Sequence, residues 1–150
     1  QDWPHSGWES SYEQATSLIN ESDLFNRVVL EPLRGQVGVA EGRVRAATIT
    51  EDRLHRLREA DAIVRRVCDE SGFEQKVWQF PVILIPYGSE SVPDSIVLRP
   101  IQSVDGMTAQ SVGMPWEILE SLCQELLAIP GIAAVFYDLT HKPPGTIEWE

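Results

Sequence analysis

The chain lacks any apolar run approaching the roughly 20 residues that a membrane span needs, and its N-terminus lacks the basic-then-apolar pattern of a secretory signal. Basic residues are scarce, with 12 Lys and Arg against 23 Asp and Glu and a formal net charge of −11. Such a field repels both nucleic acid and anionic membrane, and leaves room only for a small anion bound locally. Two cysteines, Cys68 and Cys123, stand without the CxxC or Cys/His spacing of a metal site, so buried, reduced thiols are expected. The three histidines, His5, His55 and His141, have no nearby Ser or Cys in a recognisable nucleophile context. Gly35, Gly38 and Gly42 do not form a G-x-x-x-x-G-K-S/T phosphate loop. Paired carboxylates, an activated nucleophile and metal spacing are all wanting, which argues against a small independent enzyme. The expectation is a soluble, cytoplasmic protein with no metal and no cofactor.

What is present is enough for one domain. At 150 residues and 43% hydrophobic content, the chain can bury roughly 70% of its unfolded surface. Residues 1–7, with Trp3-Pro4 and Ser6-Gly7, show no periodicity and read as a loose lead-in. Trp8, Tyr12, Ala15, Leu18 and Ile19 then recur at helical spacing and predict a helix to about Asn20. Residues 1–25 are therefore a lead-in with a helix, and 26–150 the domain proper. Residues 26–33 are rich in β-branched side chains and end near Pro32, which predicts a short strand. The glycine-dotted stretch 34–45 reads as an irregular excursion.

Thr50 is a good N-cap, with Glu51 and Asp52 where the helix dipole favours negative charge. Leu54, Leu57, Ala60, Val64, Val67 and Cys68 form one stripe of a long helix that Gly72 ends. Apolar runs at 77–87 and 95–103, separated by a Gly/Ser/Glu/Pro loop, predict an antiparallel hairpin. Pro115 suits the first turn of a third helix carrying Leu119, Leu122, Cys123, Leu126 and Ile129 on its apolar face. Residues 133–140 alternate as a last strand. After the N-terminal helix, the order βαββαβ predicts an α+β fold of ferredoxin-like, split βαβ type, with an antiparallel four-stranded sheet and two helices on one face. The strands are apolar on both faces, so the other face needs a cover. The N-terminal helix or a second copy of the chain could supply it, and a homodimer is the expectation.

The C-terminus is unusual for a chain end, because termini usually fray. Lys142-Pro143-Pro144-Gly145-Thr146-Ile147-Glu148-Trp149-Glu150 places one cation beside a stiff turn, then packs a hydroxyl, an isoleucine and a tryptophan between two glutamates. It looks built to fold back over something. From the residues alone, Lys142 is either a solvated turn lysine or a phosphate ligand presented in a fixed direction. His141 beside it could add a pH-dependent charge. Arg99, in an otherwise apolar strand, needs a partner if buried, for which a salt bridge or a dimer contact is expected.

This segment, with Pro130-Gly131-Ile132 and Val135-Phe136-Tyr137-Asp138-Leu139-Thr140, resembles the C-terminus of glutamine-hydrolysing GMP synthetases. Matching stretches run in the same order through Thr50-Glu51-Asp52-Arg53-Leu54, Gln79-Phe80-Pro81-Val82-Ile83-Leu84, Val97-Leu98-Arg99-Pro100 and Asp105-Gly106-Met107-Thr108. The Gln79 strand and the Pro-Pro-Gly-Thr ending are more similar to the extended, eukaryotic-type enzyme. The resemblance implies a dimerization domain that lends Lys142, Thr146, Ile147, Glu148 and Gln79 to a pocket for XMP, a purine nucleotide, in GMP biosynthesis. It also implies that the amidotransferase and ATP pyrophosphatase functions belong to other domains or subunits, so this part is expected to be inactive alone. Two positions depart from the family's pattern: Gly106, where phenylalanine is usual, and Ala134, where arginine is common. They keep open a second reading, a repurposed dimeric module that senses a nucleotide or holds a protein partner.

Overall fold

The computed structural model describes residues 7–149, so most of the expected lead-in, His5 and Glu150 lie outside the described residues. Helix α1 is Gly7–Asn20, beginning at the last residue assigned above to the lead-in. Helix α2, Glu51–Ser71, begins after Thr50, whose hydroxyl accepts from the Arg53 N–H, and ends at Gly72 in the left-handed region (φ +70°). Helix α3, Trp116–Leu127, starts directly after Pro115. The predicted apolar faces are the buried ones except at the start of α2, where Leu54 is exposed and Leu57 half-buried. Ala60, Val64, Val67 and Cys68 of α2 meet Leu119, Leu122, Cys123 and Leu126 of α3 over the sheet. Leu122 and Leu126 are fully buried, each contributing about 1.5–3 kcal/mol. Burial pushes the thiols of Cys68 and Cys123 up to about 11 and about 12, which leaves them protonated and unreactive.

The described residues also form eight strands: β1 (Val29–Leu30), β2 (Arg43–Val44), β3 (Val82–Ile85), β4 (Tyr87–Gly88), β5 (Asp94–Leu98), β6 (Ile101–Gln102), β7 (Gln110–Ser111) and β8 (Ile132–Asp138). The main sheet has the order β1-β8-β5-β3, while β2 pairs with β4 and β6 with β7. The expected hairpin is there, with Val82 opposite Leu98 and Ile85 opposite Ser95. The all-antiparallel sheet is not. β5 and β8 are parallel neighbours, Ile96 beside Val135 and Leu98 beside Tyr137, so the sheet is mixed. The reason is the crossover: α3 carries the chain back, and β8 then runs in the direction of β5. A split βαβ would keep another strand between the two that this helix joins, whereas here they touch. Side-chain alternation reports which face a residue occupies but not the direction of its neighbour.

Alternation on both faces does produce two clusters. Ile96, Leu98, Ile132, Val135 and Tyr137 face the helices, and Val97, Ala134 and Phe136 face the other way with Ile83, Ile85, Tyr87 and Trp149. Helix α1 does not cover that second face. It packs into the main core, with Trp8 tilted on Tyr137 at 4.7 Å between ring centroids and its Nε1–H donating to the Met114 carbonyl at 2.9 Å. Instead, the excursion at 34–45 reaches the second cluster. The Gln36 N–H donates to the Ala133 carbonyl at 2.8 Å, a Cβ on Gly35 would meet that oxygen at 2.3 Å, and the Tyr87 hydroxyl donates to the Val39 carbonyl. Backbone-to-backbone approach this close requires glycine at 35.

Candidate functional site

Two features of β8 set up its C-terminal end. The strand's last residue is Asp138, fully buried at the close of seven buried positions. After it the chain turns back, because the Asp138 carboxylate accepts the Thr140 N–H at 2.9 Å and the Val28 N–H donates to the Thr140 hydroxyl at 2.9 Å. A buried carboxylate needs cationic partners. Arg99, one residue past β5, supplies one through Nη1, and Arg27, just before β1, supplies the other at 3.0 Å. Arg99 is wholly buried. Burial pulls its guanidinium below the usual arginine value, and Asp138 works in the opposite direction. The salt bridge expected for Arg99 is thus its actual environment.

Further donors of the two arginines turn to the C-terminal segment and the turn that leads into it. Arg99 donates to the carbonyls of Thr140 (3.0 Å), Thr146 (2.6 Å) and Ile147 (2.9 Å). Arg27 donates to the Thr146 hydroxyl at 2.9 Å and to the Glu148 carbonyl, and its guanidinium lies 4.7 Å from the centre of the Trp149 ring. The segment does fold back, and its anchor is a pair of arginines around one aspartate.

Of the residues predicted to form a nucleotide site, Thr146, Ile147 and Glu148 are brought together here. Thr146 and Glu148 are exposed, and the carbonyls of all three accept from arginine. Lys142 stands slightly apart. Its main chain pairs with Ala109 in both directions, at 2.7 and 3.1 Å, and its ammonium donates to the Gly106 carbonyl at 2.7 Å. Gly106 adopts φ +71°, a left-handed turn that a phenylalanine would strain. Asp105 shapes the same loop: its carboxylate accepts from the N–H groups of Met107 (2.9 Å) and Thr108 (3.2 Å). Those bonds, Thr108 first, hold it below the usual carboxylate range, with a smaller contribution from Lys142.

Gln79 is exposed and pairs through its main chain with Ile101, on the opposite side of the β6–β7 hairpin from Lys142. The hairpin therefore stands between Gln79 and Lys142, with Met107 exposed in its loop. Ala134 is fully buried where Gly35 approaches, so an arginine there would have no open path to a ligand. His141 does not stand as a free charge. Its Nδ1 accepts the Ser111 N–H at 3.1 Å, and burial, then Arg99, hold it below the ordinary histidine value against the opposing pull of Asp138. Pro143 and Pro144 line an open depression of about 800 Å³ with Ile19, Asn20 and Phe25, and none of the five predicted site residues borders it. Among the described residues, no three His, Cys, Asp or Glu side chains are placed to hold a metal ion, and no helix is long and apolar enough to cross a membrane. Sequence reasoning missed Arg27 and Asp138. A lone acid in the apolar run ending at Asp138 was the available signal, since a buried acid there demands a cation.

The chain matches the family described as the GMP synthase C terminal domain over residues 66–149. It is 40% identical over 143 residues to a protein of Leptospira interrogans named probable GMP synthase (glutamine-hydrolyzing), covering 95% of this chain and 24% of that relative. A GMP synthase (glutamine-hydrolyzing) of Caldanaerobacter subterraneus is 44% identical over 110 residues, covering 68% of this chain and 22% of the relative. The corresponding protein of Corynebacterium glutamicum is 40% identical over 111 residues, covering 68% and 21%. The chain spans about a quarter of the length of these curated relatives.

Proposed function

Because the chain belongs to the GMP synthase C-terminal domain family, we propose that it serves GMP biosynthesis as a dimerizing module that contributes Lys142, Thr146, Ile147, Glu148 and Gln79 to an XMP pocket completed by other parts of the enzyme. Catalysis belongs to amidotransferase and ATP pyrophosphatase partners in this reading. The observation that carries it is the fixing of 146–148 by their carbonyls, which holds the exposed Glu148 and the Thr146 hydroxyl, itself bonded to Arg27, in the same short segment as Lys142. A fixed main chain is a preorganised half-site, and binding then costs less ordering entropy. Dimer formation draws support from the second sheet face, where Ile83 and Ile85 stay half-exposed, and from Val44 and Ile49, 79% and 82% exposed.

Calorimetric titration with XMP, with GMP and AMP as controls and light scattering for mass, tests both halves. Selective XMP binding by a dimer that Lys142→Ala abolishes without unfolding supports the reading. A monomer, or binding unchanged by Lys142→Ala, defeats the half concerned. Gly106 and the enclosed Ala134 favour the second reading, a repurposed dimeric module. A dimer indifferent to XMP and responsive to a different nucleotide would select it.

A further inference from the structure

The C-terminal segment has little main-chain support of its own. Pro143 and Pro144 have no N–H to donate, and the main chain is paired at Lys142 with Ala109 and from the Gly145 N–H to the His141 carbonyl at 3.1 Å. Beyond Gly145, three consecutive carbonyls, those of Thr146, Ile147 and Glu148, accept from Arg99 or Arg27. Ordered main-chain groups need partners, and here two side chains stand in for a neighbouring strand. Arg27 is the more informative of the pair. Its planar fork reaches Asp138 with Nη1 at 3.0 Å while Nη2 reaches the Thr146 hydroxyl at 2.9 Å, the Thr146 carbonyl at 3.4 Å and the Glu148 carbonyl. A lysine has one nitrogen and can keep the charge beside Asp138 but not the fork. The arginine is itself placed by β1, whose Val29 sits opposite Asp138.

We propose that Arg27, which lies outside the matched residues 66–149, is a positioning residue: clamped with Arg99 on Asp138, it sets where Thr146, Ile147 and Glu148 meet a purine nucleotide. The ligand half rests on the function proposed above, whereas the clamp itself does not. In that role Arg27 acts through the segment it holds.

The test uses the full chain as wild type, Arg27→Lys, Arg27→Ala and, as a control for lost surface charge, Arg58→Ala. Three quantities are read: the urea midpoint, hydrogen exchange of the amides of 145–149, and XMP affinity by titration. Arg27→Lys is expected to keep a midpoint near wild type while exchange at 145–149 speeds up and XMP affinity falls, each by about tenfold, the factor that one charge-assisted hydrogen bond represents at its low end. Arg27→Ala should do at least as much, and Arg58→Ala nothing. Wild-type exchange in Arg27→Lys overturns the clamp, and because Arg27→Lys keeps its midpoint, that outcome does not depend on whether Arg27→Ala folds. Faster exchange with unchanged XMP affinity overturns the positioning role alone. Failure of the wild type to bind XMP overturns the ligand half together with the function it rests on, while exchange still decides the clamp.

Discussion

Asp94 and Asp138 stand at opposite ends of the parallel pair β5 and β8, each a buried carboxylate between two arginines, yet they hold different things. At Asp94 the partners are Arg53 and Arg56 of α2, at 2.9 and 3.0 Å, with side chains 18% and 23% exposed. Their other donors reach the Thr48 and Pro130 carbonyls, so this end pins the first turns of a helix and its flanking loops to the sheet. At Asp138 the partners are 0% and 9% exposed, and their other donors reach a segment with almost no ladder of its own. The same chemistry reinforces a helix that would form anyway at one end and creates order at the other. Burial decides the difference in strength, since solvent screens the first pair of contacts and not the second.

The comparison can be broken most forcefully at Arg99. Arg99→Met leaves Asp138 with Arg27 alone, frees the Thr140 and Ile147 carbonyls and leaves the Thr146 carbonyl only the longer bond from Arg27. It should cost about 3 kcal/mol, the lower end for breaking a buried pair because one cation remains, read as a lower urea midpoint. Asp94→Asn should cost less, about 1–2 kcal/mol, because both its arginines can turn to water. A loss equal to that of Arg99→Met would refute the ranking by burial. Smaller again is Thr50→Ala, which removes the N-cap of the helix that Arg53 and Arg56 belong to, for about 1 kcal/mol. That loss should add to Asp94→Asn with a coupling term, because both act on the same turn.

The finest distinction is in pH. His141, ringed by Tyr12 at 5.1 Å, Arg99 and Asp138, is held below its ordinary value, so the folded state prefers it neutral. Its contribution is fully present above the unfolded histidine value of about 6.5 and is lost as pH falls from there through the folded value, because the unfolded chain takes up the proton first. Stability measured between pH 7 and pH 5 should fall less steeply in His141→Ala than in wild type, and an unchanged slope would refute the assignment.

Much of this frame is legible in the residues, for identifiable reasons. Helices α2 and α3 announce themselves through stripes ending in Cys68 and Ile129 and through local start and stop signals at Thr50, Gly72 and Pro115, all of them short-range effects. The fold-back of the C-terminal segment is readable in its prolines and aromatic end. What holds it is not, because Arg27 and Asp138 are 111 residues apart, and nothing in either neighbourhood points to the other. The predicted Gln79 and Lys142 share no visible link for the same reason, and in the structure the β6–β7 hairpin stands between them.

By itself, then, the sequence determined the helices and the strands of the main sheet, the two-faced burial of those strands and the membership of a family, since each depends on residue types and near spacings. Tertiary structure alone decided the parallel pairing of β5 with β8, the cover given to the second face by the 34–45 excursion, and the two arginines that close on Asp138. Those are choices among distant partners, and their free energy exists only once the chain has brought the partners within reach and taken them out of water.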